Sequence, residues 1–327
     1  MSKDESILKP TRMLTHPHTT RSRLMLEVAS RLVSRKDFPY LQARIDLREQ
    51  GSSEWPLTLF ASDSPATVDE VAAGKVQFAI INPSMMLKLA ALGSAPFNAP
   101  VPVRVIAVLP SLDQMVFAVK RETGLTTFSD IRERRFPLRV SLRAQPDHSL
   151  HAIVDHVLKA AGFSLDDLIS WGGKVRYDAG MAYGQNRIGA MQRGEIDAIF
   201  DEGATAWGNM ALELGMTFLS LDETILQRLE AIGLRRGLME RRNYPKLAAD
   251  VPTLDFGGWP IYTHQDTPDS VVRDFCAALE ASKAQIPWAQ DAPLPLDRMV
   301  RDTPEGHLEV PLHTAAERFW RECGYLP

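Results

Sequence analysis

Cysteine is almost missing from this sequence, and so are the short motifs that announce a chemistry. Two of the 327 residues are cysteine, Cys276 and Cys323. Neither belongs to a CxxC or to a Cys/His cluster, which excludes a zinc site of that spacing. They can pair in an oxidising compartment, or sit on amphipathic helices as small buried hydrophobes. No HExxH, P-loop, GxSxG or GxGxxG occurs. The zincin helix, the glycine-rich phosphate cradle, the nucleophile elbow and the dinucleotide fingerprint are therefore absent. Trp171-Gly172-Gly173-Lys174 is only a glycine turn. His151 and His156 stand at i, i+5 and fall on different helix faces. His16 and His18 flank Pro17 with no third ligand close in sequence, so they make a weak metal pair. No metal and no cofactor is expected.

Long apolar runs are missing too. The N-terminus reads MSKDESILKPTRMLTHPHTT. A secretory leader needs an apolar core of about 7–15 residues after a basic start. Asp4, Glu5, Lys9 and Arg12 interrupt every candidate. No later stretch is apolar enough to span a bilayer, so no membrane insertion is expected. As written the chain reads as cytoplasmic, and as periplasmic if a leader has been removed. Charge of one sign is also lacking: 37 basic residues face 41 acidic ones, interspersed, for a net charge of −4. That leaves no electrostatic footprint for nucleic acid.

What remains is an ordinary globular composition, 45% hydrophobic and 24% charged. The length favours two domains, because single cores stop growing near about 250–300 residues. A short strand at Arg12–Leu14 and a polar loop at Thr15–Thr20 lead into a helix from about Arg21 to Ser34. Its apolar face is Met25, Val28, Ala29, Leu32 and Val33. Strands follow at Leu57–Ala61, Val76–Ile81, Arg104–Leu109 and Gln114–Lys120. Leu138–Leu142 is a further strand. The polar loop Arg143–His148 leads from it to a helix whose stripe runs from Leu150 to Ala161 and closes at Gly162. Ile196–Phe200 is a strand, and a helix runs from about Ala204 to Leu214. Leu221–Tyr244 reads as helical and charged, and Thr253–Thr263 as one returning strand-like segment.

Two passages repeat one plan. AAGKVQFAIINPS (72–84) and MQRGEIDAIFDEG (191–203) each run from a helix end through glycine and a charged residue into a short buried strand. Polar residues follow in both. The expected fold is α/β with two lobes: two sheets flanked by helices, joined by two connecting strands. Residues 1–113 with 262–327 make the first lobe and 114–261 the second.

In open α/β sheets ligands sit beyond the carboxyl ends of the strands, where helix N-termini favour an anion. Four such strand ends are polar and should share one cleft. They supply His16, His18, Thr19 and Thr20; Asn82 and Ser84; Arg143, Asp147, His148 and Ser149; and Asp201 and Glu202. A guanidinium beside a helix N-terminus can clamp a carboxylate, which makes Arg143 the foremost anion ligand. The alternative is a surface Arg143 paired with Asp147. Asp147 or Ser149 is expected to cap the following helix. Asp201 and Glu202 can hold an amine or hydroxyl, or pair with Arg143. Trp207, with Tyr183 and Trp259, is either cleft wall or packing.

LRVSLRAQPDHSLHAIVDHVLKAAGFSLDDL resembles the second-lobe binding unit of the TAXI solute receptors of tripartite ATP-independent (TRAP) transporters. MQRGEIDAIFDEGATAW resembles the strand and loop that follow it in that family. MTFLSLDETILQRL, YPKLAADVPTLDF, TPDSVVRDFCAALE and VPLHTAAERFWRECGYLP look like family features in the same order. The resemblance covers residues 55–327. It implies a periplasmic-binding-protein-like fold and capture of a small organic acid or amino acid by lobe closure, as a transport receptor or ligand sensor. The partners it implies are a small carboxylate and a membrane transporter. By matching positions it puts His18, Thr19, Asn82, Ser84, Arg143, Asp147, His148 and Asp201 in the cleft. The sequence departs from the family where a leader and a glycine-rich first loop are usual. The departure supports a second reading, a cytoplasmic enzyme of a small carboxylic acid on the same fold. In it His16, His18 or His148 moves protons near neutral pH.

Overall fold

The strands Val103–Leu109 (VRVIAVL) and Gln114–Lys120 (QMVFAVK) are buried along nearly their whole length. Such runs suit a sheet covered on both faces. A computed structural model describes residues 17–35, 42–49, 51–53, 56–289 and 291–327, with backbone alone for 17–20 and 289. It places these two strands in different sheets. Among the described residues twelve strands build two large sheets: β1 (Ala43–Leu47), β2 (Leu57–Ala61), β3 (Phe78–Ile80), β4 (Val103–Leu109), β5 (Gln114–Lys120), β6 (Arg139–Arg143), β7 (Lys174–Asp178), β8 (Ala198–Asp201), β9 (Met216–Phe218), β10 (Arg236–Met239), β11 (Val251–Asp255) and β12 (Trp259–His264). The first sheet has the order β1-β2-β3-β12-β4, and the second the order β10-β11-β5-β8-β6-β7 with β9 against β5. Helix α1 (Pro17–Val33) precedes the sheets in the chain, and the helices that accompany them include α2 (Ala66–Ala72), α3 (Met85–Leu92), α4 (Phe128–Glu133), α5 (Ser149–Ala161), α6 (Leu165–Ser170), α7 (Ala190–Gln192), α8 (Ala204–Glu213), α9 (Glu223–Ala231), α10 (Asp269–Ser282), α11 (Leu296–Met299) and α12 (Thr314–Glu322).

Residues 1–43 and 44–327 are separate compact units. The first contributes α1, which starts at Pro17, four residues before the expected helix. Proline suits a first helical position because its φ is preset and its missing N–H has no partner there anyway. The expected strand at Arg12–Leu14 lies outside the described residues.

Within 44–327 the chain passes between the sheets twice. Pro110–Asp113 leads from β4 to β5, and Phe256–Gly258 leads from β11 to β12. The crossings are bonded to each other. Gly258 N–H donates to Ser111 O at 3.0 Å, and Phe256 N–H to Asp113 O at 2.9 Å. A Cβ on Gly257 would stand 2.4 Å from Ser111 O, so this close approach admits only glycine.

The two repeated passages occupy equivalent places. β3 pairs antiparallel with β12, the strand entered from the second crossing (Ile261 opposite Ile80). β8 pairs antiparallel with β5, the strand entered from the first (Ala118 opposite Ile199). On its other side each is parallel to a neighbour, β2 and β6 respectively. The same order of parallel strand, short buried strand and antiparallel crossing strand is thus built twice.

Two segments differ from expectation. The charged helix ends early, at Ala231, and Gly233 turns with φ 104°. The chain then makes β10, antiparallel to β11. The helical charge pattern survives as contact: Arg236 on β10 pairs back to Glu223 and Glu230 of α9. The expected single segment Thr253–Thr263 is split by Gly257-Gly258 into strands of different sheets. Trp259–Ile261 therefore belong with the first sheet. The core joins the inner faces of both halves. Phe117 of β5 meets Phe128 edge-on at 4.9 Å and Phe200 at 5.1 Å between ring centroids.

Candidate functional site

Burying a charge is costly unless it is paired and hydrogen-bonded. The end of β6 therefore stands out, because several ionisable groups are gathered there out of water. Arg143, its last residue, is 7% exposed. Its Nη2 donates to Asp201 Oδ1 at 2.8 Å and also to the Glu202 carboxylate. Burial opposes the charge on Arg143, but the two carboxylates outweigh it and its pKa is raised. Asp201 bridges to a second guanidinium: Arg187 Nη1 donates to its Oδ2. Arg187 is fully buried, and its other donors reach Ser141 Oγ, Ser141 O and Phe200 O at 3.1–3.3 Å. Arg187 is thus spent on framework. Arg143 is not, since its Nε is buried without a partner.

The loop after β6 turns into α5 through His148, whose Nδ1 accepts the Leu150 N–H at 3.1 Å. His148, and neither Asp147 nor Ser149, is the cap. Ser149 instead reaches out of its lobe. Its N–H and Oγ both donate to Asp63 O, at 2.8 and 2.7 Å, in the turn after β2. A first-turn donor that a helix cannot satisfy itself is thus satisfied across the cleft. The other ring nitrogen of His148, Nε2, lies 2.9 Å from Arg143 Nη1. Burial first, then Arg143 and His151, push the His148 pKa down to about 2, so the ring is neutral with one N–H. Whichever nitrogen carries that proton, one of its two contacts sets donor against donor. This neutral ring does not titrate near neutral pH, which corrects the proton-carrier expectation for His148.

Two further carboxyls complete the cluster. Asp63 is pushed up to about 6, by burial above all; Arg143 opposes the shift, and Glu202 and Asp147 add to it. Asp113, in the first crossing, accepts the N–H groups of Gln114, Gly203 and Ala204 at 2.7–3.0 Å. Burial above all, and then the neighbouring Glu202 carboxyl, hold its pKa well above the usual carboxylate range. Two guanidiniums therefore face four carboxyls.

Of the sequence candidates, the structure joins Arg143, His148, Asp201 and Glu202 by direct bonds, and Ser149 through the cross-cleft contact. The surface pairing of Arg143 with Asp147 does not form; Asp147 is exposed. Ser84 is buried and bonds the second crossing, its Oγ donating to Gly257 O at 2.9 Å. Asn82 Oδ1 is buried without a partner. Trp207 is a correction: it lies in the core behind the site, packed near Phe218, with its indole N–H donating to Glu202 O at 2.8 Å. It holds the loop rather than lining the cleft. Tyr183 and Trp259 are part-exposed. His16 lies outside the described residues, as do the side chains of His18, Thr19 and Thr20. Sequence reading missed Asp63, Asp113, Arg187 and Gln145, both of whose amide atoms are buried without partners. Asp63 carried the same signal as the other candidates, a polar turn directly after an apolar strand. Arg187, one arginine within GQNRIG, carried none.

A cavity of about 1000 Å³ lies elsewhere, among β6, β7, α5 and α6. Leu142, Val154, Phe163, Val175 and Tyr177 line it, and none of the bonded cluster does. Among the described residues no group of His, Cys, Asp and Glu gathers as a metal site, and no helix is long and apolar enough to cross a membrane. Cys276 is buried, Cys323 is exposed, and both are free.

Two sheets joined by paired crossings, with a polar cluster where they meet, define the two-lobed periplasmic-binding-protein-like class. The chain belongs to the NMT1-like family, which it matches over residues 61–324. No curated protein matches it. It is similar to solved binding proteins at low identity. One is the alkanesulfonate-binding protein SsuA of Xanthomonas axonopodis pv. citri bound to MOPS (13% identity, 71% of this chain and 83% of that one, TM-score 0.30). Another is lactococcal OpuAC with glycine betaine (10%, 80% and 83%, TM-score 0.36). A third is a TctC solute-binding protein from Polaromonas (15%, 65% and 66%, TM-score 0.34).

Proposed function

We propose that this protein is a solute-binding protein that captures a small organic acid or amino acid between its lobes, with Arg143 as the group that takes the carboxylate. The observation that carries this is the pair Arg143 Nη1 and His148 Nε2, 2.9 Å apart and both buried. An oxygen acceptor placed against them, and against the unpartnered Nε, turns opposed donors into charge-assisted bonds. Asp63 offers an acceptor for an amine on the same ligand. Ser149 and Asp63, bonded across the cleft, are the contacts that lobe opening would break. The resemblance to TAXI receptors supports the finer reading, a receptor that hands its solute to a TRAP-type membrane partner.

The test is a thermal-shift panel of organic acids, amino acids and matched amines. One carboxylate should stabilise the protein; at 100 times its dissociation constant the gain is about 2.7 kcal/mol. Stabilisation by amines alone, or by nothing in the panel, would sink the reading.

A further inference from the structure

We infer that the ligand is a zwitterion divided between the lobes, its carboxylate on Arg143 of the second and its ammonium on Asp63 of the first. Asp63 thereby selects amino acids over the matching simple acids. The inference rests on the proposed role of Arg143 and narrows the ligand class at that same site.

The Asp63 carboxyl carries it, because nothing in the protein donates to that group. Asp201 takes both arginines, Glu202 takes Arg143, and Asp113 takes three backbone N–H groups. The Asp63 carboxyl feels only burial, Arg143, Glu202 and Asp147, and no hydrogen bond reaches it among the described residues. Nor does its own turn use it. An aspartate after a strand ordinarily braces the turn through its side chain. Here serines do so: Ser62 Oγ accepts the Ser64 N–H at 3.0 Å and the Thr67 hydroxyl at 2.9 Å, and Ser64 Oγ accepts the Ala66 N–H at 3.3 Å. The helix that follows, α2, starts without a side-chain cap.

The backbone of Asp63 is instead fixed to the second lobe. Its carbonyl accepts both Ser149 donors, and Ser149 adjoins His148, whose Nε2 meets Arg143 Nη1. The unmet carboxyl of one lobe is thus held close to the unmet donors of the other. A part-buried carboxylate without a partner is costly. An ammonium on the ligand supplies a charge-assisted bond and an opposite charge. A simple acid on Arg143 leaves Asp63 unpaired and adds a second negative charge beside it. The two ligands therefore differ by one charged hydrogen bond and one repulsion, both of which arise only where the lobes meet.

Isothermal titration with matched pairs, on wild type and Asp63→Asn, tests this: L-glutamate with glutarate, L-alanine with propionate, and 4-aminobutyrate with butyrate. The pH should be well above the value of about 6 to which Asp63 is pushed, so that its carboxyl is ionised. In wild type the amino acid that binds best should bind at least about tenfold tighter than its partner, the worth of a charged hydrogen bond. In Asp63→Asn that ratio should fall to about threefold, the worth of a neutral one. The wild-type ratio stands alone should the variant not fold. A simple acid that binds wild type as tightly as its amino partner overturns the ammonium site and leaves the carboxylate site intact. A preference that survives unchanged in Asp63→Asn, whatever happens to overall affinity, also overturns it. If no acid of the set binds wild type, the carboxylate reading falls and this inference with it.

Discussion

Among the described residues two helices are capped by histidine, and the difference between the caps separates framework from site. His148 begins α5 with φ −71° and ψ 137°; His313 begins α12 with φ −63° and ψ 135°. Each uses Nδ1 to accept the N–H two residues on, at 3.1 and 3.2 Å. Both are nearly fully buried and both have lowered pKa values, with burial the first cause. The contrast is at the other nitrogen. His313 has the backbone carbonyls of Gln265 and Thr267 near its ring, acceptors that favour a ring N–H. His148 turns the same atom to a guanidinium donor. Proteins rarely leave buried donors opposed. The same local sequence device is thus complete in one place and lacks an acceptor in the other.

The largest effect should come from removing the guanidinium that makes the difference. Arg143→Ala leaves Asp201 and Glu202 short of a cation, and breaking a buried pair costs about 3–5 kcal/mol. Chemical denaturation should show that loss, and titration should show carboxylate binding abolished. Arg187→Met should cost a similar amount of stability, because Arg187 holds Asp201, Ser141 and the Phe200 carbonyl. If any binding survives, it should survive there. Retained binding in Arg143→Ala would erase the contrast between the two arginines.

A pH effect follows next in size. Asp63 titrates at about 6 rather than 3.8 in the folded protein, mainly through burial. A carboxyl with a raised folded-state pKa holds its proton where the unfolded chain has lost it. Stability therefore rises as pH falls from 7 towards 4, by at most about 3 kcal/mol from this group. Asp63→Asn should remove that part of the slope and gain stability at pH 7. Asp113 and Asp255 act in the same direction, so the informative quantity is the difference between the two proteins' pH profiles. Parallel profiles would show that Asp63 is not held in the cleft as its contacts require.

How much of this was legible in the sequence depends on whether the cause is local. Strand ends, helix closures at Gly162 and the duplicated plan come from period and punctuation, and β5 and β2 stand where the pattern puts them. Arg143, Asp201 and Glu202 were legible because a polar residue directly after an apolar strand has one place to go. The capping role of His148 was not, since Asp and Ser on either side are better caps by preference. Ser149 is diverted by a carbonyl 86 residues away, and that cannot be seen in a window of the chain. Arg187 and Asp113 become site residues only through β8 and the crossing between sheets. Burial of the charges, rather than their order, decides what they do. The split of Thr253–Thr263 rests on the Gly257-Gly258 pair, readable as a turn but not as a change of sheet.

The smallest effects test the two histidines directly. Losing a cap costs about 1 kcal/mol, and His313→Ala also removes a ring N–H favoured by the nearby Gln265 and Thr267 carbonyls, so it should cost more than that. His148→Ala loses the cap but also removes the opposed donor, so its stability loss should be the smaller of the two. Asparagine is a good cap and restores that part at either position. Binding should move the other way. His148→Asn keeps the helix start and removes the imidazole donor, and one hydrogen bond of about 1 kcal/mol corresponds to roughly a fivefold loss of carboxylate affinity. His313→Asn should leave affinity unchanged. Denaturation midpoints and titrations on the four variants read both quantities. Equal shifts at the two positions would mean that His148, like His313, is framework alone.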